Sequence, residues 1–182
     1  MKSINKEDAW IRTYTGGKVY YFHPEKSKID IEDVAHSLSL LCRFNGATKE
    51  FYSVAQHSVF VAEAVKNAGG SPDDIYSALL HDASEAFISD VPSPFKKFFP
   101  GFKKAEVRME KWLAEKFKFK FPYSQIVKDY DLVALATEMR DLMNVCDNKT
   151  LKTKPLNEKI KPLNPNKAKQ LFLKKYECYR NY

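Results

Sequence analysis

The segment ALLHDASEAF carries the first residues of this sequence whose types and spacing could do chemistry. His81 and Asp82 are adjacent, and Glu85 lies one helical turn beyond them, so a helix would place all three side chains on one face. An apolar helix that buried this cluster would lose much hydration energy unless the charges were matched, and a cation is the natural match. The segment therefore favours a metal site, although a His-Asp dipeptide alone is weakly specific.

Further ligands for such a metal must come from other helices, because a divalent cation needs more than one imidazole and one carboxylate. Two polar residues beside apolar stretches are candidates: His57, before the apolar residues 59–62, and Asp131, at the start of DLVALA. Considered alone, His57 is equally well explained as a core histidine paired with a carbonyl or carboxylate. Asp131 alone is better explained as a solvated helix residue. The residues themselves leave both assignments open.

The elements that would position these residues are helices preceded by a short β-hairpin. Aromatic and β-branched runs flank Gly16-Gly17 within residues 10–22, which predicts a hairpin with a two-residue turn. Three prolines between Asp90 and Pro100 exclude a continuous helix there and predict a constrained loop. Apolar residues at helical spacing predict six helices, and Asp30, Ser71 and Asn164 stand at the starts of three of them. The predicted helices span 31–44, 53–68, 71–88, 102–117 and 124–145, and a last helix starts at 164. The apolar side of the 124–145 helix is predicted to comprise Val127, Leu132, Leu135, Met139 and Leu142.

The composition of the sequence limits the classes of protein to which it can belong. With 182 residues, 44% of them hydrophobic and 29% charged, the chain suits one globular domain and is too apolar for a disordered one. No segment approaches the roughly 20 apolar residues that span a bilayer, and the start MKSINKEDAW lacks the apolar core of a signal peptide, so a cytoplasmic location without a membrane partner is expected. The thiols Cys42, Cys146 and Cys178 are far apart and form no CxxC, which argues against a disulfide framework or a zinc ribbon.

The net charge of +7 comes almost entirely from lysines spread along the chain. Such a charge suits a phosphorylated substrate or a nucleic acid but requires neither. Aromatic residues alternate with lysines in FKKFFPGFKKAEV and EKWLAEKFKFKF, which keeps a nucleic-acid-binding protein as an alternative. These aromatics are more simply explained as core residues, so no nucleic-acid partner is expected.

Five short motifs, taken in order, resemble the HD-domain phosphohydrolases. They are RF at 43, SVAQHS at 53, LLHDASE at 79, DVPSPFK at 90 and KDYD at 128. Within that family the series is most similar to bacterial 5′-deoxynucleotidases and their phage-encoded deoxynucleoside triphosphohydrolase relatives. The resemblance covers about residues 30–145, and the joint pattern is much more specific than any one of its parts.

The resemblance implies a role for each matching residue. It places one divalent cation, such as cobalt, manganese or zinc, on His57, His81, Asp82 and Asp131. It gives acid/base work to Glu85 and Asp90, and it assigns phosphate binding to Arg43, Lys96 and Lys128. His23 and His36 lie outside the matching positions, so a mononuclear site is expected.

The resemblance also implies a fold and an activity. The expected fold is an all-α HD-domain bundle with a short N-terminal β-hairpin. A single domain is expected over 1–182, with a hairpin extension at 1–29, an HD core at 30–146 and a C-terminal helix at 164–182. The implied reaction is hydrolysis of a small-molecule deoxynucleotide at its 5′-O–P bond, releasing a nucleoside and either phosphate from a monophosphate or triphosphate from a triphosphate such as dATP.

Some properties stay open at this point. The same metal motif would serve monophosphates and triphosphates, and a degenerate HD domain that senses nucleotides without turnover is a further alternative. By analogy with relatives, a homo-oligomer, either a dimer or a hexamer, is expected. The location would be the host cytoplasm if the chain is phage-encoded.

Overall fold

The hairpin and the helices predicted from the sequence both form. The computed structural model describes residue 6, residues 9–144 and residues 153–182. Within these ranges, it contains eight α-helices and one two-stranded antiparallel sheet, which confirms the all-α bundle with an N-terminal hairpin. Cys146, the predicted helix end at Val145 and most of the segment MKSINKED lie outside the described residues.

The hairpin pairs β1 (Trp10–Arg12) with β2 (Lys18–Tyr20) in the register Trp10 to Tyr20 and Arg12 to Lys18. Its loop spans residues 13–17 rather than the two glycines alone. Gly16 has a φ of +90°, which requires the freedom of glycine, whereas Gly17 is needed for space. A Cβ at Gly17 would lie 2.0 Å from the carbonyl oxygen of Lys28. The two glycines therefore serve a close backbone approach as well as a turn.

The helices follow the predicted order, with short 3-10 turns at Pro24–Lys26 and Arg43–Gly46. Three predicted caps are confirmed: Asp30 and Ser71 each form a capping box, and the side chain of Asn164 accepts a hydrogen bond from the Lys167 amide. The helices are α1 (Ile31–Leu40), α2 (Val54–Asn67), α3 (Pro72–Leu80), α4 (Glu85–Ile88), α5 (Ser93–Lys96), α6 (Pro100–Phe117), α7 (Gln125–Leu142) and α8 (Pro165–Tyr179).

The hydrophobic core is built around α2, which packs against α1, α3, α7 and α8. Val34, Leu38, Val61, Leu79 and Phe172 are fully buried where these helices meet. Because α8 contacts α1, α2 and α3, the C-terminal helix closes the bundle. Within the described ranges, no helix combines the length and the apolar character needed to cross a membrane.

The predicted 71–88 helix is interrupted in the middle. α3 ends at Leu80, and the chain passes through tightened turns before α4 begins at Glu85. The amide of Ala83 bonds to the carbonyl of Leu80, three residues back, at 3.0 Å. The physical reason is the imidazole of His81, whose Nδ1 lies 2.7 Å from the carbonyl of Ala78 and takes the place of a regular helical donor.

The predicted apolar side of the 124–145 helix is wrong at Leu132, whose side chain is 46% exposed. The face that α7 turns towards α2 carries residues at intervals of three and four instead. These residues are Val127, Asp131, Ala134, Glu138 and Leu142. Two carboxylates therefore occupy an otherwise apolar stripe, which is why a purely hydrophobic pattern misplaces the face.

The aromatic residues around α5 do not pack as core residues. Phe95, Phe98 and Phe99 are exposed, with Phe98 at 79%, and this corrects the expectation for the first lysine-rich segment. In the second segment Phe119 is buried, as expected. The difference arises because α5 has a single turn and packs against the start of α6, so that its aromatics lie outside the bundle.

Candidate metal centre and substrate cavity

Four side chains from three separate elements meet at one point of the bundle. His57 comes from α2, His81 and Asp82 from the turn that follows α3, and Asp131 from α7. The Nε2 atom of His57 lies 3.3 Å from Nε2 of His81, 3.3 Å from Oδ2 of Asp82 and 3.3 Å from Oδ1 of Asp131. The Nε2 atom of His81 lies 3.3 Å from Oδ1 of Asp82 and 3.7 Å from Oδ1 of Asp131.

These separations fit one divalent cation. Bonds of about 2.1 Å at right or tetrahedral angles place ligand atoms about 3.0–3.4 Å apart. Ligand atoms of His57, His81 and Asp131 all lie within 4.8 Å of one another, and both oxygens of Asp82 face the same imidazoles. Imidazole nitrogens with carboxylate oxygens are a donor set that suits zinc, manganese and cobalt. The two nitrogens, 3.3 Å apart beside two carboxylates, could therefore hold one shared ion.

The imidazole of His57 is oriented by a residue that sequence reasoning missed. Its Nδ1 donates to Oε1 of Glu138 at 2.6 Å, because a carboxylate can only accept. Glu138 is fully buried and also pairs with Arg43, whose Nη2 lies 3.0 Å from Oε2. With Nδ1 carrying the proton, the lone pair of Nε2 is left to face a metal.

The imidazole of His81 is oriented in the same way, by an acceptor beside its Nδ1 atom. Its Nδ1 donates to the carbonyl of Ala78, so Nε2 is again the free ligand atom. The hydroxyl of Tyr123 donates to the backbone carbonyl of His81 at 2.9 Å and holds the turn itself. Both candidate ligand histidines therefore have an acceptor beside Nδ1 that favours the tautomer with a free Nε2.

The charges of the cluster stabilise one another strongly. Burial acts to raise the pKa of Asp82, but without a cation His57 and His81 can also take up a proton at Nε2, and their positive charges then lower the pKa of Asp82 to about 2. The pKa of Asp131 is also well below its ordinary value, since hydrogen bonds from the same imidazoles outweigh burial. Both aspartates are consequently ionised at neutral pH, as ligands of a cation must be.

A cavity of about 510 Å³ opens over this cluster, within the size range of small-molecule sites. Glu85 and Asp90 both line it, as do His81, Asp82 and Asp131. Glu85 is buried, and its Oε2 has no hydrogen-bond partner in the described part of the chain. Burial and the negative charges of Asp82 and Asp90 raise the pKa of Glu85 to about 10. Burial also raises the pKa of Asp90. These two carboxyls thus lie beside the candidate metal ligands.

Arg43 reaches the cavity from the 3-10 turn at Arg43–Gly46. Phe44 and Asn45 there have φ values of 54° and 51°, a left-handed backbone that non-glycine residues adopt at a cost. The Nη1 atom of Arg43 lies 3.8 Å from Oδ2 of Asp90 and 3.9 Å from Oδ2 of Asp82. Both distances exceed a hydrogen bond, so Nη1 retains donor capacity towards a bound anion.

The two lysines assigned to phosphate by the resemblance have different environments. Lys96 lines the cavity, and its Nζ lies 2.6 Å from Oε1 of Glu106 and 3.9 Å from Oε1 of Glu85. Lys128 is exposed on α7, one turn before Asp131, and is not among the residues that line the cavity. The structure therefore brings Arg43 and Lys96 to the cluster and leaves Lys128 outside the cavity.

Sequence reasoning missed not only Glu138, which is buried behind His57, but also polar residues of the cavity wall. Glu106 is a buried carboxylate that pairs with Lys96 and Lys103, while Glu110 and Tyr123 complete the wall. Glu138 could have been found, because it lies seven residues after Asp131 and so shares its helical face. No comparable signal marks Glu106 or Glu110, since lysines and glutamates alternate freely along that helix.

An all-α bundle that carries this His and His-Asp arrangement belongs to the class of HD-domain phosphohydrolases, as the sequence motifs implied. Within this class, the chain belongs to the family described as 5′-deoxynucleotidase YfbR-like, whose model matches residues 48–165. Membership supports a 5′-deoxynucleotidase-type phosphohydrolase activity, and HD phosphohydrolases generally bind a divalent metal.

Two relatives share much of the sequence. The uncharacterized protein YfdR of Escherichia coli is 40% identical over 134 residues, which are 74% of this chain and 72% of the relative. An uncharacterized protein of Rhodobacter capsulatus is 38% identical over 92 residues, which are 48% of this chain and 47% of the relative. Neither relative's name states a substrate, so substrate choice has to be argued from the cavity.

Proposed function

We propose that this protein is a metal-dependent hydrolase that cleaves deoxynucleotides between the 5′-oxygen and the α-phosphorus. A monophosphate would give nucleoside and phosphate, and a triphosphate would give nucleoside and triphosphate. The observation that carries the proposal is the convergence of His57, His81, Asp82 and Asp131 beneath a cavity that also holds Arg43 and the carboxyls of Glu85 and Asp90.

The proposed binding roles follow from charge and reach. His57, His81, Asp82 and Asp131 would hold a divalent cation, which would supply Lewis acidity to the phosphoryl group and to the attacking water. Arg43 donates through Nη1 to nonbridging oxygens while Glu138 holds its other terminal nitrogen. Lys96 neutralises the same phosphoryl group from α5. Lys128 has the same proposed role at longer range, from the exposed side of α7.

The proton transfers are assigned to Glu85 and Asp90. Water adds to phosphorus, the bond from phosphorus to the 5′-oxygen breaks, and one proton must reach that oxygen. The positive charge of a cation on the four ligands would lower the raised pKa of Glu85, so that Glu85 would orient the water and take its proton, and Asp90 would deliver a proton to the leaving oxygen. Exchange of these two roles gives the same products. The presence of both carboxyls in the cavity favours turnover over a sensor that binds without reacting.

Direct product analysis tests the proposal. Purified protein is stripped of metal, reloaded with manganese, cobalt, zinc or magnesium, and incubated with each dNMP and dNTP. Release of free nucleoside by the wild type and its loss in Asp82→Asn is the expected result. Asp73→Asn, at an exposed aspartate of α3, the helix that precedes Asp82, is the matched control and should keep full activity. The proposal fails if no nucleotide yields nucleoside and Asp82→Asn behaves like the wild type.

A nucleic-acid-binding function is the second candidate, because Phe95, Phe98 and Phe99 are exposed beside lysines. Aromatic stacking with positive charge is a common way to bind single strands. Binding of single-stranded DNA that weakens steeply with salt and needs no metal would support it. The absence of binding at low salt would remove it.

A further inference from the structure

A second cavity, of about 770 Å³, adjoins the one over the metal ligands. The two cavities share Ser93, Lys96 and Lys103, so they form one continuous depression on the side of α5 and α6. The remaining walls of the second cavity are Lys97, Pro100, Lys104 and Val107. Four lysines therefore line a space that begins where the candidate metal cavity ends.

These lysines carry more charge than the protein itself neutralises. Lys96 and Lys103 both pair with Glu106, at 2.6 Å and 2.8 Å, and they share its single negative charge. Lys97 and Lys104 make no ion pair with any residue that the structure describes. Four ammonium groups against one carboxylate leave three positive charges around the second cavity. Such an excess suits a polyanion.

The cavity over the candidate metal ligands has the opposite charge balance, with more carboxyls than cations. Six carboxyl residues line it, and its cations are Arg43, Lys96 and Lys103. Once a divalent ion is bound, a single phosphoryl group is matched by that ion, Arg43 and Lys96, and it needs neither Lys97 nor Lys104. The charge in the second cavity therefore lies beyond what a monophosphate uses.

We propose that the second cavity binds the β- and γ-phosphates of a deoxynucleoside triphosphate, so that triphosphates are the preferred substrates. This inference rests on the proposed function, because it places the α-phosphate at the metal ligands. The nucleoside then lies against Phe44, Leu132 and Leu135, apolar residues of the metal cavity on the 3-10 turn and α7. The phosphate chain extends the other way, along α5 and α6, where phosphate oxygens accept hydrogen bonds from Lys97 and Lys104.

The simplest alternative is that Lys97 and Lys104 are ordinary solvated surface lysines. Exposed lysines that line neither cavity provide a control for this alternative. Lys111 is exposed on α6 and lines neither cavity, and Lys174 is exposed on α8. The double variant Lys97→Gln/Lys104→Gln and the control Lys111→Gln/Lys174→Gln remove the same net charge. All four side chains are at the surface, so both proteins should unfold at the temperature of the wild type.

The test compares kcat/KM for dATP and dAMP in the manganese-loaded proteins. The wild type should favour dATP, and Lys97→Gln/Lys104→Gln should lower kcat/KM for dATP about tenfold or more through loss of two charge-assisted contacts. Its kcat/KM for dAMP, and both values of the control, should stay within about twofold. A wild type that prefers dAMP, equal losses on both substrates, or the same loss in the control would overturn the inference.

A binding measurement separates this inference from the proposed function. If the wild type hydrolyses no nucleotide, the proposed function fails, and titration with inorganic tripolyphosphate then examines the cavity alone. Tripolyphosphate affinity that falls about tenfold in Lys97→Gln/Lys104→Gln but not in the control supports the polyphosphate site; an unchanged affinity rejects it. Single-stranded DNA binding that the variant loses, with dATP hydrolysis unchanged, would reject it in favour of a nucleic-acid surface.

Discussion

At the scale of single residues, the candidate metal centre depends on a carboxylate that does not face the ion. Glu138 accepts from Nδ1 of His57 and from Arg43, and it is fully buried between them. One side chain therefore favours the tautomer that a metal ligand at His57 would need, and it positions the guanidinium that would bind phosphate. Removal of its charge should disturb both functions together.

We predict that Glu138→Gln weakens metal binding about 10–100-fold. The neutral amide orients His57 less firmly than the carboxylate does, and it makes the Nε2 atom of His57 a weaker metal ligand. Calorimetric titration of the metal-free protein with manganese measures the change. Glu115→Gln, at an exposed position of α6, is the control and should bind like the wild type. Equal affinities for Glu138→Gln and the wild type would show that Glu138 has no part in the metal centre.

The two proposed acid/base carboxyls, Glu85 and Asp90, should behave differently from the metal ligands. Glu85→Gln and Asp90→Asn each remove a proton-transfer group, so kcat should fall about 100-fold or more while the manganese affinity changes little. Rapid-quench assays and metal titrations on the same preparations separate the two effects. If either variant kept the wild-type kcat, the corresponding residue would have no acid/base role.

At the scale of elements, the interruption between α3 and α4 is what points the His81-Asp82 pair at α2 and α7. A regular helix would satisfy the Ala78 carbonyl with a backbone amide, whereas here the His81 ring does so. The 3-10 turn at Arg43–Gly46 has a similar role, since its left-handed residues bring Arg43 to the cavity. Irregular segments on a rigid bundle therefore carry much of the site.

The hairpin loop gives a prediction about stability. Gly17→Ala would place a methyl group 2.0 Å from the Lys28 carbonyl oxygen, so the backbone must shift and the free energy of unfolding should fall by about 1–3 kcal/mol. Gly101→Ala, where nothing lies within 4 Å, should be neutral or slightly stabilising. Urea unfolding followed by circular dichroism measures both. A stable Gly17→Ala would mean that the two backbones are not held together.

At the scale of the whole molecule, Asp141 at the end of α7 fixes the segment that leads to α8. Its carboxylate accepts from Arg140, from the amide of Ile160 at 3.0 Å and from Lys159 at 3.1 Å. Arg140 also donates to the carbonyls of Leu156 and Glu158. These hydrogen bonds hold the pKa of Asp141 below its ordinary value, and the bond from Arg140 has the largest effect.

The lowered pKa gives a pH dependence with a definite sign. The carboxylate stabilises the fold fully above the pKa of an unfolded aspartate, about 3.9, and this contribution is lost as pH falls towards the lower folded value. Asp141→Asn should therefore lower the free energy of unfolding by about 1–3 kcal/mol at pH 7 and by progressively less below about pH 4. Asp129→Asn, at an exposed position, serves as control in urea titrations at several pH values. A loss for Asp141→Asn that did not shrink at low pH would contradict the assignment.

Metal should also stabilise the whole bundle, because its ligands come from α2, the turn after α3, and α7. Binding to the folded state alone adds about 2.7 kcal/mol at a free metal concentration of 100 times Kd. Chelation should consequently lower the unfolding temperature, and manganese should restore it. The response should vanish in Asp82→Asn, which lacks one ligand charge, and persist in Asp73→Asn. An unfolding temperature that does not change when metal is removed or added would argue against a bound ion.

The sequence by itself determined the helical architecture, the capped starts of the helices at Asp30, Ser71 and Asn164, and the joint HD pattern. Each of these depends on residues close in the chain, where spacing and capping chemistry act locally. The tertiary structure alone showed that Glu138 pairs with His57, that Lys96 pairs with Glu106, and that Lys128 stays outside the cavity. It also brought Lys97 and Lys104 into a basic cavity next to the candidate metal ligands. Such pairings join residues far apart in sequence, and they depend on how whole helices pack and rotate, which no local pattern encodes.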